Sequence, residues 1–209
     1  MRPLVLCPEA RLLDRRTQEE AALPGLLLME DASLRLWDAL SPLLAAALRE
    51  RGAGAPGVSS PALVALVGRG NNGGDALAVL RQAAFSNFGD RGLAAVLAAR
   101  PEEKELSFAY AASLRALGVP LIDWASERER AGAAIGGAAL LLDGLSGTGL
   151  EGALRGSPAE ILAAAAASGR PLASIDLPSG LSDAYAPDFP LAKARYTLSI
   201  EPGKLAIYA

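Results

Sequence analysis

Histidine is absent from the 209 residues. With no imidazole there is no histidine base, no Ser-His-Asp triad and no histidine-ligated metal. Cysteine occurs once, at Cys7, which excludes an internal disulfide and a thiolate metal cluster. A reducing, cytoplasmic setting fits that usage. No apolar run reaches the roughly 18 residues that a membrane helix needs. The N-terminus does not read as a signal peptide, because Pro3, Pro8 and Glu9 interrupt its apolar stretch. Positive charge is also scarce: 20 Lys and Arg against 23 Asp and Glu leave a net charge of −3. A sequence-independent nucleic-acid binder needs a basic face, so neither nucleic acid nor membrane is expected as a partner. A phosphorylated metabolite remains open, since backbone N–H groups hold phosphate without cationic side chains. Acid–base chemistry is left to carboxylates, Lys, Tyr or water.

What is present is apolar, at 51% of residues, which suits one packed domain over residues 1–209. Residues 7–22 and 26–50 read as helices. Ser41-Pro42 in the second marks either a kink or a fresh N-cap with proline at the first helical position. Residues 51–61 read as a loop. A core follows over residues 62–209. Leu63–Val67 is a short run, apolar on both faces, as a buried parallel strand requires. Leu93–Ala99, Val119–Ile122, Ala139–Leu142 and Leu172–Ile175 repeat the pattern, with helical stretches at 74–88, 102–117, 126–135 and 158–168 between them. This alternation predicts an α/β fold: a Rossmann-like three-layer α/β/α sandwich around a mostly parallel central sheet. Tyr196–Ile200 and Leu205–Tyr208 are candidate edge strands.

In such sheets ligands bind beyond the carboxyl ends of the strands. Three polar loops occupy those places. The first is Gly68-Arg69-Gly70-Asn71-Asn72-Gly73-Gly74-Asp75. Its glycines bend freely, and it opens a helix whose N-terminal N–H groups favour an anion. A plain strand–helix turn would also use glycine, but it does not need the Asn-Asn pair and the following Asp. The loop is not a phosphate loop ending in Gly-Lys-Ser/Thr. The second loop runs from Asp143 through Gly149, and the third is Asp176-Leu177-Pro178-Ser179-Gly180. A carboxylate ending an apolar run is costly without a partner. One such Asp could simply cap a helix; two at equivalent strand ends point to a site. Trp37 and Trp124 read as packing residues and Glu127–Arg130 as a solvated helix face. Arg155 suits a phosphate contact or an ordinary surface role.

Together these residues resemble the N-terminal domain of the YjeF family, the NAD(P)H-hydrate epimerases. Four segments match in order: PEARLLDRRTQEEAALPGLLLMEDAS, VALVGRGNNGGDALAVLR, LLLDGLSGTGLEGALRG and PLASIDLPSGL. The second and fourth are the specific ones. The resemblance implies a Rossmann-like fold and interconversion of the R and S forms of hydrated NADH and NADPH (NADHX and NADPHX). It implies substrate contacts from Asn71, Asn72, Gly73, Gly74 and Asp75, and from Gly147, Thr148, Gly149, Leu150, Glu151, Gly152 and Ala153. Asp176 would touch the nicotinamide hydrate and act as the acid–base group. One potassium ion per chain would sit on Asn72, Asp143 and Ser179. The implied partner is a NAD(P)H-hydrate dehydratase; a homodimer is left open.

The chain departs from the family pattern at several places. Ala76 and Ser146 stand where glycine and phenylalanine are usual, Asp31 and Ser33 alter a Glu-Asn-Ala-Gly segment, and Ser182 replaces an aspartate. The sequence stops soon after Glu201-Pro202-Gly203-Lys204, earlier than is usual, and no dehydratase domain follows. None of these changes touches an implied ligand or acid. A catalytically weak or inactive binding module of the same fold is the alternative, although a scaffold has no need of Asn72, Asp143, Asp176 and Ser179 together. A nicotinamide-dependent oxidoreductase fits less well, because no ribose-binding acid ends the next apolar run, Leu93–Ala99. If the first loop lies against the dinucleotide, a side chain at Gly73 or Gly74 should obstruct binding more than folding.

Overall fold

The computed structural model describes residues 4–51, 60–200 and 202–208. Most of the expected 51–61 loop lies outside the described residues. The elements follow in the order β1 (Leu4–Val5), α1 (Cys7–Glu20), α2 (Gly25–Arg51), β2 (Leu63–Val67), α3 (Asn71–Phe85), β3 (Leu93–Leu97), α4 (Leu106–Ala116), β4 (Leu121–Asp123), α5 (Arg128–Gly137), β5 (Leu140–Gly144), α6 (Gly156–Ser168), β6 (Leu172–Ile175), β7 (Tyr196–Leu198) and β8 (Gly203–Lys204).

Six strands form one sheet in the order β4-β3-β2-β5-β6-β7, and every neighbouring pair is parallel. Leu63, Ala65 and Val67 face one layer, with α2, α3 and α4. Val64 and Leu66 face the other, with α5 and α6. Alternate residues thus serve opposite cores, which is why these strands read as unbroken apolar runs. From β2 the chain works outward to β4; it then returns beside β2 as β5 and works outward the other way. The switch in direction falls between β2 and β5, where a crevice opens at the strand ends.

Several elements differ from expectation. Helix α2 runs unbroken through Pro42. Its buried face of Leu36, Leu40, Leu44 and Ala47 offsets the roughly 3 kcal/mol that an interior proline costs. Helix α3 begins at Asn71, three residues early, so the Asn-Asn-Gly-Gly-Asp segment is the first turn of a helix rather than a free loop. Only Tyr196–Leu198 of the expected 196–200 strand pairs, and residues 205–207 form a 3-10 turn instead of a strand. The unexpected strands are β1 and β8, which pair with each other in parallel. They hold α1 at the carboxyl edge of the sheet, where only its Cys7 and Ala10 are buried.

Candidate active site

A cleft of about 1040 Å³ opens above the switch between β2 and β5. The loop after β2 supplies Arg69, Gly70, Asn71 and Asn72, and the loop after β5 supplies Leu145 through Leu150. The start of α6 closes one end with Arg155, and the exposed face of α1 lies across the opening with Arg11 and Asp14. Arg11 donates a hydrogen bond from Nη1 to the Thr148 carbonyl, fixing α1 to the loop after β5. Asp75, Asp176 and Lys204 line the cleft as well.

Asp176 follows β6 directly, with φ of 63°. That left-handed conformation costs a non-glycine residue about 1–3 kcal/mol and persists only where its surroundings impose it. Here they do: the Asp176 N–H donates to the Leu198 carbonyl at 2.8 Å, and Leu177 N–H reaches back to Ile175 at 2.7 Å. Lys204 Nζ donates to Asp176 Oδ1 at 2.5 Å and to the Ile200 carbonyl at 2.7 Å. Ile200 N–H also reaches Oδ1, at 3.1 Å. The ion pair is almost dry, with Asp176 8% and Lys204 3% exposed. Among the described residues Asp176 Oδ2 has no partner.

Asp143 is the opposite case. It is fully buried, and four donors converge on it: Ser174 Oγ at 2.7 Å, Ser179 N–H at 2.9 Å, Ser179 Oγ at 2.5 Å and Leu145 N–H at 3.2 Å. Burial pushes its carboxyl upward in pKa, and the serine and backbone donors oppose that shift. Ser146 N–H donates to Ser179 Oγ at 2.8 Å, and Asn72 Nδ2 donates to the Ser146 carbonyl at 2.6 Å. Asn72, Asp143 and Ser179 therefore meet around Ser146, each from a different strand end. Ser146 Oγ in turn accepts from Gly180 N–H at 3.0 Å, so the serine at the usual phenylalanine position ties the loop after β5 to the loop after β6.

The glycines divide into two groups. A Cβ on Gly73 would overlap the backbone of Gly68, and one on Gly74 would lie 2.8 Å from the end of Met29 on α2. Neither residue lines the cleft; both let α3 pack closely beneath it. A side chain at either position would meet a packing conflict. Gly147, Thr148, Gly149 and Leu150 line the cleft, whereas Glu151, Gly152 and Ala153 lie beyond its wall. Ala76 stands with its Cβ toward Gly144. Ser33 is buried, donates to the Glu30 carbonyl at 2.7 Å and accepts from Gln82 at 3.1 Å, joining α2 to α3. Trp124 packs as expected, with its indole N–H on Glu160 at 2.8 Å, and Trp37 stacks edge-on against Phe88.

Sequence reasoning passed over Lys204, Asp14 and Arg11. The apolar Leu-Ala-Ile-Tyr after Lys204 was a signal that this lysine could be buried and would then need a carboxylate, but not which one.

A doubly wound parallel sheet with a polar cleft at its switch point defines the chain as a Rossmann-like α/β protein. Residues 26–206 match the family described as YjeF-related protein N-terminus, and the chain belongs to that family. It is 30% identical over 208 residues to the bifunctional NAD(P)H-hydrate repair enzyme Nnr of Moorella thermoacetica, across 98% of this chain and 37% of that one. It is 31% identical over 180 residues to the NAD(P)H-hydrate epimerase of Rhodopirellula baltica, across 86% of this chain and 66% of that one. The chain spans only 37% and 28% of the two bifunctional relatives it matches. The crystal structure of yeast ynu0 shares the fold, with a TM-score of 0.70 at 19% identity over 86% of this chain and 72% of that one.

Proposed function

We propose that the cleft binds hydrated NADH and NADPH and interconverts their R and S epimers. Family membership supplies the substrate class, through relatives named for NAD(P)H-hydrate repair and epimerisation. The observation that carries the reading is Asp176, whose carboxylate is held at the end of β6 by Lys204 with one oxygen left free.

The chemistry suits an anion there. The hydrate carries its hydroxyl on a carbon next to the ring nitrogen. When the C–O bond breaks, its electron pair leaves with oxygen and the nitrogen lone pair forms a C=N bond. The product is a planar cation, and water can return to either face. A fixed carboxylate beside that ring stabilises the cation. Gly147–Leu150 and the start of α6 offer backbone for the dinucleotide, with Arg11 and Arg155 nearby for its phosphates.

The reading includes one potassium ion. The groups around Ser146 carry oxygens that could hold a cation: Asn72 Oδ1, the Asp143 carboxylate, the Ser179 hydroxyl and the Ser146 carbonyl, to which Asn72 here turns its Nδ2. That chemistry fits a hard cation, and a single carboxylate suits a single positive charge. Asn72 is 8% exposed, and among the described residues its Oδ1 accepts from no donor, so an acceptor is free for the ion. When bound, the ion would supply positive charge and keep the three loops in register.

The reading extends to a homodimer in the cytoplasm, working beside a NAD(P)H-hydrate dehydratase specific for one epimer. Among the described residues no helix is long and apolar enough to cross a membrane. The test is a proton NMR time course on purified R- and S-NADHX with and without the protein. Rapid exchange between epimers at constant nicotinamide absorbance is expected. An unchanged epimer ratio would favour the binding-module alternative, and a change in absorbance would favour an oxidoreductase.

A further inference from the structure

Asp75 is a carboxyl that no described group holds. It sits in the first turn of α3 on the floor of the cleft, only 8% exposed. Among the described residues it has no hydrogen-bond or ion-pair partner. This contrasts with its two neighbours in the sheet-end cluster: Asp143 has four donors, and Asp176 has Lys204 and Ile200 N–H. A carboxylate so enclosed and unpaired is costly, whereas a neutral carboxylic acid is less so and has a proton to give. The charges around it point the same way. Asp176 at the end of β6 and Asp14 on α1 both repel an anion at Asp75. Lys204 on β8 is the opposing cation, but its ammonium is committed to Asp176 Oδ1 and the Ile200 carbonyl. Tyr110 on α4 is also within electrostatic reach, and its hydroxyl lies against Glu30 Oε2 and the Leu26 carbonyl.

We infer that Asp75 carries the proton that the reaction moves, while Asp176, tied to Lys204, remains the fixed anion beside the ring. This rests on the epimerase reading above and divides roles that the sequence alone placed together on Asp176. The Asp75 carboxyl gives its proton to the departing hydroxyl. The C–O bond breaks, water forms, the ring nitrogen shares its lone pair with carbon, and Asp75 is left as a carboxylate. When water adds back to the planar cation it must lose a proton, and the Asp75 carboxylate recovers it. The enzyme ends as it began, with no oxidant, reductant or second substrate. The arrangement separates two carboxyls by environment, one kept neutral by enclosure and one kept paired, as acid–base sites commonly do. Burial, with Asp176 and Asp14 beside it, lifts the Asp75 carboxyl to about 8. That places its proton loss near the upper edge of neutral pH, where a group can both give and regain a proton.

The test compares the wild-type chain with Asp75→Asn, which keeps the shape and removes the acid. Epimerisation of R- and S-NADHX is followed by proton NMR from pH 6 to pH 10. NADH serves as an unreactive probe of cleft binding. The wild-type kcat should fall above about pH 8. Asp75→Asn should lose about 10²–10⁴ in kcat, lose that alkaline limb and bind NADH within a few-fold of wild type. Normal turnover by Asp75→Asn with the limb intact would overturn the role of Asp75 while leaving the epimerase reading standing. A wild-type chain that does not epimerise would overturn both. If the variant loses NADH binding or its fold, carboxyl-carbon NMR of aspartate-labelled wild type decides. A carboxyl titrating near pH 8 supports the assignment, and none titrating above pH 6 overturns it.

Discussion

Lys204 Nζ lies 2.5 Å from Asp176 Oδ1, and both side chains are buried in the wall of the cleft. The pair joins β8 to the end of β6, 28 residues apart in sequence. It sets the charge of the site and binds the last described strand to the central sheet.

Removing one partner of such a pair leaves an uncompensated buried charge. Lys204→Met should destabilise the fold by about 3–5 kcal/mol and lower activity. Adding Asp176→Asn should recover much of the lost stability but none of the activity. Urea unfolding of both variants, with NADHX turnover, checks this. Equal stability of Lys204→Met and wild type would mean that the pair contributes nothing.

Asp75 gives a stability signature in pH. Its carboxyl is raised from the ordinary 3.8 to about 8 in the native state. Between those values the unfolded chain binds fewer protons than the native one at this position. Stability therefore falls as pH rises through that window, and the effect levels off above about 8. Asp75→Asn lacks this loss. Its stability should match wild type near pH 4 and exceed it increasingly toward pH 8, as read from urea midpoints. A constant difference across that range would show that Asp75 is not protonated in the folded chain.

Gly73 and Gly149 should separate packing from binding. Gly73→Ala would force its Cβ against the Gly68 backbone and should cost about 1–3 kcal/mol or more. Gly149 lines the cleft and has open space where a Cβ would go, so Gly149→Ala should melt as wild type does while altering NADH affinity. Thermal melts and NADH titrations measure both. Similar melting of Gly73→Ala and wild type would contradict the close approach of α3 to the strand end.

Potassium should act through the knot around Ser146. After dialysis into choline chloride, potassium added at constant ionic strength should raise activity or thermal stability saturably, and sodium less so. Constant ionic strength separates a specific site from general screening. Ser179→Ala should weaken the response. A flat response to both ions would sink the cation.

The inner strands β2, β3, β5 and β6 were legible because they are buried on both faces, which leaves mostly Leu, Val, Ile and Ala in them. The loops at its carboxyl edge were legible because glycine, asparagine and aspartate crowd there against that apolar background. Three things were not. The roles of Gly73 and Gly74 depend on how near Gly68 and Met29 come, and a one-dimensional pattern does not record that distance. The parallel strands β1 and β8 are two residues each, too short for any periodicity to appear. Lys204 was hidden by separation, since nothing within its own neighbourhood says that it folds back on Asp176. The continuous α2 shows the reverse error: Pro42 is a strong local break signal, but the tertiary contacts of the buried leucines override it.

The pairing of β1 with β8 has a consequence for the order in which the chain takes shape. As the polypeptide leaves the ribosome, Gly203 and Lys204 emerge about two hundred residues after their partners Leu4 and Val5. At synthesis rates of about 5–20 residues per second, that is a wait on the order of ten seconds or more. Until then α1 has little to dock against, and the cleft has neither its outer wall nor the counter-charge for Asp176. The sheet from β2 to β6 can assemble first, from contacts between neighbouring segments. The binding site is completed only when the two ends of the described chain meet, so a nascent chain with an intact sheet would still be unable to hold its substrate.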